Sequence, residues 1–243
     1  MQSLWFLLIT IAAFSVVQSL FGVGLLVFGT PTLLLVGYSF EETIAFLLPS
    51  SVLISLMQSV QGRHHIRELR SSVLIYCVPF IVVGLALVLS DTLNLDVRVL
   101  VGAALIFSAV TWLDQRVLEW LARLLKRHTP FYLMMTGFVH GFSNMGGGFL
   151  TIFVGTLYTD KEDTRANIAF GYLVFASSQI AVLLVVQPQA FSIISLLLAA
   201  VAIGTYLSIG NAAYAKSSVT LYQRLITAFM LAYGVVLIGQ QLV

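Results

Sequence analysis

The sequence predicts an all-α polytopic membrane protein made of two inverted-topology repeats, each a glycine-broken helical hairpin followed by three transmembrane helices. Three observations predict this fold: the composition, the length of the apolar segments, and the position of glycines within two of them. Of the 243 residues, 59% are hydrophobic and 9% are charged, and the mean hydropathy is +1.01. Soluble domains are roughly half apolar and a quarter charged, so this composition indicates an integral membrane protein.

Six segments have the length of a complete membrane span, about 20 residues, and are bounded by polar or charged loops. They are residues 42–62, 71–90, 97–115, 164–186, 190–210 and 219–242. Apolar sequence recurs along the whole chain and leaves no stretch for a soluble domain. We therefore expect one transmembrane domain, 1–243, with a first repeat at 1–115, a cytoplasmic linker at 116–129 and a second repeat at 130–243.

Residues 3–37 and 130–158 are too long for one straight span. At 1.5 Å per residue they would measure about 50 and 43 Å, against a hydrocarbon core of about 30 Å. Each is interrupted by glycines, in FGVG (21–24) and in NMGGG (144–148), and glycine costs a helix about 1 kcal/mol relative to alanine. Each segment is therefore expected to contain two helical arms that meet at a break, which gives about eight to ten membrane segments in all.

The basic residues favour hairpins over straight passages at these breaks, because cytoplasmic loops are enriched in Lys and Arg. Straight passages would divide the twelve basic residues into seven and five. Hairpins place eleven on one side and leave Arg98 on the other. This arrangement puts residues 63–70 and 116–128 in the cytoplasm and both termini outside. Three full spans per half then make the second half enter from the opposite face, as in the inverted repeats of secondary transporters.

The breaks themselves indicate an anion site. A helix that restarts inside the bilayer has N–H groups without intrahelical partners, and the positive end of its dipole suits an anion. Residues without a side chain would let the backbone N–H groups at each break approach a small oxyanion. These residues are Gly22, Gly24, Gly146, Gly147 and Gly148. Close packing of helices through small residues is the alternative explanation of the same glycines.

Polar residues near the breaks are expected to line the same cavity. Gln18 and His140 precede Gly22 and Asn144 by four residues, one helical turn. His140 is a candidate for proton coupling or for donation to the substrate, since histidine titrates near physiological pH; a neutral histidine bonded to a carbonyl is the alternative. The further candidates, each of which can instead serve helix carbonyls or packing, are Thr30, Ser51, Ser55, Ser143, Asn144, Thr151, Asn167, Ser178 and Gln179.

Several other classes of function are disfavoured. No Asp or Glu lies deep in a predicted span, which argues against a pump based on buried carboxylates. The single cysteine, Cys77, cannot form a disulfide or a dithiol relay, and no nucleotide-binding loop, metal-ligand cluster or nucleophile triad is present. We expect no enzyme, no catalytic residue, no cofactor, no metal and no nucleic-acid partner. The expected partners are a small anion and the lipid bilayer, and the sequence is compatible with a homodimer.

Two segments resemble the doubled glycine-rich motif of the TauE/SafE sulfite exporter family. They are FGVGLLVFGTPTLLLVG (21–37) with EETIAFLLPSSVL (41–53), and GFSNMGGGFLTIFVGTLY (141–158) with DTRANIAFGYLVF (163–175). The resemblance covers nearly the whole chain and marks the five glycines named above and Pro31 as motif positions. The chain departs from the motif at Leu25 and Leu26, where the family usually has glycines, and at Phe153, where it has proline.

This resemblance implies a secondary transporter of a small sulfur-containing anion, such as sulfite, sulfoacetate or a related sulfonate. It further implies a bacterial inner-membrane protein that acts by export, with alternating access around a midplane site at the two breaks. Two alternatives stay open at this point: a carrier of another small anion such as a carboxylate, and a non-transporting membrane partner or assembly protein.

Overall fold

A computed structural model describes residues 4–66, 69–90, 96–216 and 219–240. The described residues form helices and no strand, as predicted. The first half comprises α1 (Leu4–Phe21), α2 (Leu25–Leu35), α3 (Phe40–Gln61), α4 (Leu69–Ser72), α5 (Val78–Leu89) and α6 (Val97–Leu113), with a π-helical segment, Val73–Cys77, between α4 and α5.

The remainder of the chain begins with α7 (Gln115–Arg127), α8 (Thr129–Ser143), α9 (Gly146–Leu157) and α10 (Lys161–Val186). It continues through a 3₁₀ turn (Pro188–Ala190), α11 (Ile193–Thr205), a π-helical segment (Tyr206–Gly210), α12 (Asn211–Lys216) and α13 (Val219–Gly239).

Five stretches of the described chain are long and apolar enough to cross a membrane: Leu4–Phe21, Phe40–Gln61, Leu69–Leu89, Lys161–Val186 and Ile193–Gly210. The last four coincide with predicted spans. The predicted span 97–115 corresponds to α6, which ends at Leu113 and meets α7 at 106°. The predicted span 219–242 corresponds to α13, Val219–Gly239. α1, expected to be one arm of a hairpin, is long enough at 18 residues to span alone.

Polar caps fix where several helices begin. The Ser39 hydroxyl accepts the backbone N–H of Glu42 at 3.1 Å, and the Glu42 carboxylate accepts the N–H of Ser39 at 2.9 Å, which forms a capping box for α3. Asp114 caps α7 in the same way by accepting the N–H of Arg116 at 2.8 Å. Residues 116–129, predicted as a linker, are therefore largely helical, with the Leu121 side chain buried against the core.

The two broken segments fold back on themselves. The Phe14 ring of α1 lies 5.7 Å from the Phe28 ring of α2, whereas a continuous helix would separate them by about 21 Å. The Tyr132 ring of α8 lies 5.9 Å from the Phe153 ring of α9, in place of about 31 Å in a straight helix. Residues 4–35 and 129–157 are therefore hairpins of two arms and not rods.

Loops predicted to be cytoplasmic meet at one end of the molecule, which we call the basic end. His65 Nδ1 lies 2.6 Å from Asp163 Oδ1, and Lys161 Nζ donates to the carbonyl oxygen of Tyr214 at 2.9 Å. A straight passage of residues 130–158 through a membrane would put His65 and Asp163 on opposite faces. The contact between them fits the hairpin arrangement.

The two halves pack by exchanging equivalent elements. α5 of the first half packs along α8 of the second, α11 of the second packs along α1 of the first, and α3 packs against α10. At the α5–α8 contact the backbones touch directly, since a Cβ added to Gly84 would lie 2.6 Å from the Phe138 carbonyl oxygen, and Gly141 faces the backbone of Ile81. Such reciprocal pairing is what a two-fold repeat produces; the inverted topology itself stays a prediction.

Candidate functional site

The first break lies between α1 and α2, where the chain reverses at Gly22. Gly22 has a φ of 74°, a left-handed conformation that favours glycine, and its N–H donates to the Gln18 carbonyl at 2.8 Å. A Cβ on Gly22 would lie 2.9 Å from the Arg165 carbonyl oxygen, and one on Gly24 would lie 2.8 Å from the Gln18 nitrogen. The glycines therefore let the turn press against α10 and against its own preceding arm.

The second break repeats this geometry 122 positions later. Asn144 has a φ of 62°, and its N–H donates to the His140 carbonyl at 2.7 Å. Asparagine is the residue that most often replaces glycine in this conformation. α9 restarts at Gly146, the equivalent of Gly24 in the first break. The sequence prediction of a break at NMGGG is confirmed.

A side-chain hydrogen bond joins the two hairpins. Asn144 Nδ2 donates to Thr30 Oγ1 at 2.8 Å, and both residues are fully buried. Both breaks also contact α10, at residues about one helical turn apart: Gly22 lies against Ala169, and Gly147 lies against the hydroxyl of Tyr172. The hairpins therefore meet each other and share one wall.

Buried polar side chains of α3 surround the first break. Gln18 Nε2 donates to Ser55 Oγ at 3.0 Å and to Ser51 Oγ at 3.4 Å. In return, Gln58 Nε2 donates to the Gln18 carbonyl at 2.9 Å and to the Ser19 carbonyl at 3.2 Å. Ser51, Ser55 and Gln58 lie at i, i+4 and i+7 on one face of α3, and this face meets the end of α1.

The second break has an equivalent contact from α10. Gln179 Nε2 donates to the His140 carbonyl at 3.2 Å, as Gln58 does to Gln18. The His140 ring lies 4.5 Å from the Phe175 ring and 6.4 Å from the Tyr172 ring. His140 is fully buried, and neither of its ring nitrogens has a hydrogen-bond partner among the described residues.

Unpaired polar atoms collect around both breaks. Within the described part of the chain, the buried side-chain oxygens Gln18 Oε1, Gln58 Oε1, Asn144 Oδ1 and Gln179 Oε1 have no hydrogen-bond partner. Buried polar groups in folded proteins are nearly always satisfied by protein, water or ligand. This interior is therefore suited to hold water or a polar guest.

The three consecutive glycines of the second break each approach a different element. A Cβ on Gly146 would lie 2.6 Å from the Thr136 carbonyl oxygen of α8, and one on Gly148 would lie 2.7 Å from Ser108 Oγ of α6. Gly147 faces Tyr172 even more closely. Any larger side chain here would displace a neighbour, so the glycines serve close approach as well as the turn.

Four predicted candidates use their donor groups for hydrogen bonds to backbone carbonyls. The hydroxyls of Ser143, Thr151 and Ser178 donate to carbonyls of their own helices, at 2.7, 2.8 and 2.7 Å. Asn167 Nδ2 donates to the His65 and Asp163 carbonyls at 2.9 and 2.8 Å, so it lies at the basic end. A role of these residues in binding stays a prediction.

Sequence reasoning missed two residues that the structure places at the second break, Tyr172 and Ser108. Both lie within long hydrophobic stretches of the sequence, and only their packing against Gly147 and Gly148 places them at the break. No local sequence signal could have found them.

The structure also gathers His65, Asp160 and Asp163 at the basic end, with potential metal-ligand atoms within 4.8 Å of one another. Asp160 caps α10 by accepting the N–H of Glu162 at 2.8 Å and of Asp163 at 3.0 Å. These backbone donors lower the pKa of the Asp160 carboxyl. Helix capping and the contact of Asp163 with His65 account for the cluster.

A protein-family model described as "Sulfite exporter TauE/SafE" matches residues 6–237. The match covers nearly the whole chain, including both breaks. Comparison with curated proteins and with solved structures found no match.

Proposed function

Because the chain belongs to the TauE/SafE sulfite exporter family, we propose that it is a secondary transporter that exports sulfite, sulfoacetate or a related sulfonate across the bacterial inner membrane. Family membership implies a multi-pass membrane transporter of the sulfur-anion type and not an enzyme. The substrate, the direction and the mechanism belong to the proposal.

One observation carries the proposal: the two broken hairpins are joined by the Asn144–Thr30 hydrogen bond and share α10 as a wall. α2 and α9 restart beside this junction, at Leu25 and Gly146. The first N–H groups of each restarted helix have no partner within the helix, and a small oxyanion satisfies such groups. The substrate site is therefore proposed to lie at the two breaks.

The reciprocal packing of the halves supports alternating access. Gln58 and Gln179, on α3 and α10, each donate to the carbonyl four residues before a left-handed turn residue. Equivalent contacts in two halves let each hairpin adopt the environment of the other when the carrier changes state. In this proposal both termini lie outside and the basic end faces the cytoplasm, as cytoplasmic loops are rich in Lys and Arg.

His140 is proposed as the coupling group of this cycle. It is an ionisable side chain buried one turn before the second break, and its ring nitrogens have no partner among the described residues. An intramembrane histidine of this kind is suited to a proton relay.

The test is flux in proteoliposomes loaded with labelled sulfite or sulfoacetate, with protein-free liposomes and labelled acetate as controls. We expect sulfonate or sulfite flux that saturates with concentration and depends on an imposed pH gradient. Flux of acetate alone would assign the site to a carboxylate carrier. Absence of flux for every anion, from folded protein, would favour a non-transporting partner.

A further inference from the structure

Arg165 of α10 is a partly buried cation next to the Tyr206 and Tyr214 side chains. Its guanidinium carbon lies 3.9 Å from the centroid of the Tyr214 ring. Its Nε and Nη2 atoms are buried and have no hydrogen-bond partner among the described residues. The ring face offsets part of the cost of burying the charge, but unpaired N–H groups of a cation remain expensive.

A second cation lies against the same ring. Lys161 Nζ is 4.1 Å from the Tyr214 centroid, one helical turn before Arg165. The ion pairs among the described residues join His65 to Glu162 and to Asp163, and neither Lys161 nor Arg165 takes part in one. Two positive charges therefore share one aromatic ring, and neither has a carboxylate partner in the part of the chain that the structure describes.

Arg165 lies between two cavities. One, of about 190 Å³, opens at the basic end and is lined by Gln58, Gln61, His65, Glu162 and Tyr214 together with Arg165. The other, of about 230 Å³, is lined by both Lys161 and Arg165 and reaches Phe21 and Val23 at the first break and Thr151 of α9. The described residues that line this second cavity include no Asp or Glu.

We propose that Lys161 and Arg165 form an anion vestibule at the basic end, a binding site that adjoins the first break. It takes the charged head of a small oxyanion and holds it beside the first break. The cavity of about 230 Å³ has room for several non-hydrogen atoms beyond that head. The vestibule rests on the proposed function only for the identity of the anion, since binding there is measurable without transport.

The same chemistry fits two sources of oxyanion, a dissolved anion and the headgroup of an anionic lipid. The experiment therefore uses purified full-length protein in nanodiscs of phosphatidylcholine, with and without phosphatidylglycerol, and measures sulfoacetate affinity by calorimetry. We expect binding in pure phosphatidylcholine that weakens as salt rises. Stabilisation by phosphatidylglycerol without any sulfoacetate binding would assign the cations to lipid and overturn the vestibule.

The variants are Arg165→Gln, Lys161→Gln and the charge-conserving Arg165→Lys. We expect Arg165→Gln to weaken sulfoacetate binding by about tenfold or more, as removal of a charge-assisted hydrogen bond does, and Lys161→Gln to weaken it by a smaller factor. Arg165→Lys should retain part of the affinity. The matched control is Arg63→Gln, since Arg63 is an exposed cation of the same end that donates to His64 at 3.2 Å.

Failure of the vestibule and failure of transport are distinguishable. If Arg165→Gln and Lys161→Gln both bind sulfoacetate as tightly as the natural protein, the vestibule is wrong, whatever the flux. If the natural protein binds through Arg165 but shows no flux, the vestibule stands and the proposed function falls. Should Arg165→Gln not fold, Lys161→Gln decides alone: unchanged affinity overturns the proposal.

Discussion

Asn144 donates through Nδ2 to Thr30 Oγ1 at 2.8 Å, across 114 positions of sequence. Asn144 is at once the left-handed turn residue of the second hairpin and the donor that reaches the first. The bond is buried, so loss of its acceptor leaves a buried amide N–H without its protein partner. The turn of one hairpin and the position of the other are therefore coupled through a single side chain.

Thr30→Val should destabilise the protein by about 1–3 kcal/mol, because it removes the acceptor and keeps the shape. Thr30→Ser should be near neutral, and Asn144→Gly should keep the turn while removing the amide. The measurement is a double-mutant cycle of unfolding with Thr30→Val and Asn144→Gly. Additive effects of the two changes would show that the bond contributes nothing.

Gly147→Ala should destabilise by about 1–3 kcal/mol through overpacking, since its Cβ meets the Tyr172 hydroxyl. Tyr172→Phe in the same chain should recover part of the loss. Gly155→Ala is the matched control on the same helix, because a Cβ there meets no atom within 4 Å, and it should be neutral or slightly stabilising. Equal thermal unfolding midpoints for the two alanine variants would contradict the close contact.

Cysteine labelling tests the hairpin topology. Cys77 is fully buried, so the natural protein should react poorly with a membrane-impermeant maleimide. Single cysteines at the exposed positions His64 and Thr159 should label from the same, cytoplasmic side, and one at Gln189 from the other. Labelling of His64→Cys and Thr159→Cys from opposite sides would mean that residues 130–158 cross the membrane.

Asp160→Ala should lower stability at neutral pH, whereas Asp160→Asn should preserve the α10 cap. The folded-state pKa of Asp160 is lowered by the backbone N–H groups of Asp163 and Glu162. Its charge therefore stabilises the fold above the unfolded pKa of about 4, and this contribution is lost as pH falls through the folded value. Thermal unfolding at pH 7 and below pH 4 should show the deficit of the alanine variant shrinking in acid; a deficit independent of pH would exclude the charge.

The breaks were predictable because glycine lowers helix propensity at its own position, whatever the tertiary structure around it. Gly22 and Gly146 lie where an apolar run exceeds the thickness of a bilayer, and length with helix propensity was enough to place them. The partners of the breaks were not predictable in the same way. Tyr172 reads as one more apolar residue of a span, and only tertiary packing brings it to Gly147.

Contacts that α10 makes with distant parts of the chain were also not predictable from sequence spacing. Asn167 was predicted to line the cavity at the breaks, but its Nδ2 donates to the carbonyl of His65, so Asn167 lies at the basic end. Arg165 was counted only as a topological charge. Its contact with Tyr214 joins residues 49 positions apart, which no pattern within one helix encodes.

The backbone contact of Gly84 and Gly141 across α5 and α8 limits how this molecule can move. Helices that touch without intervening side chains cannot slide past one another without losing many close contacts at once. α5 comes from one half of the chain and α8 from the other, so a rocking motion cannot separate the N-terminal half from the C-terminal half. Each rigid body that moves must therefore contain helices from both the N-terminal half and the C-terminal half.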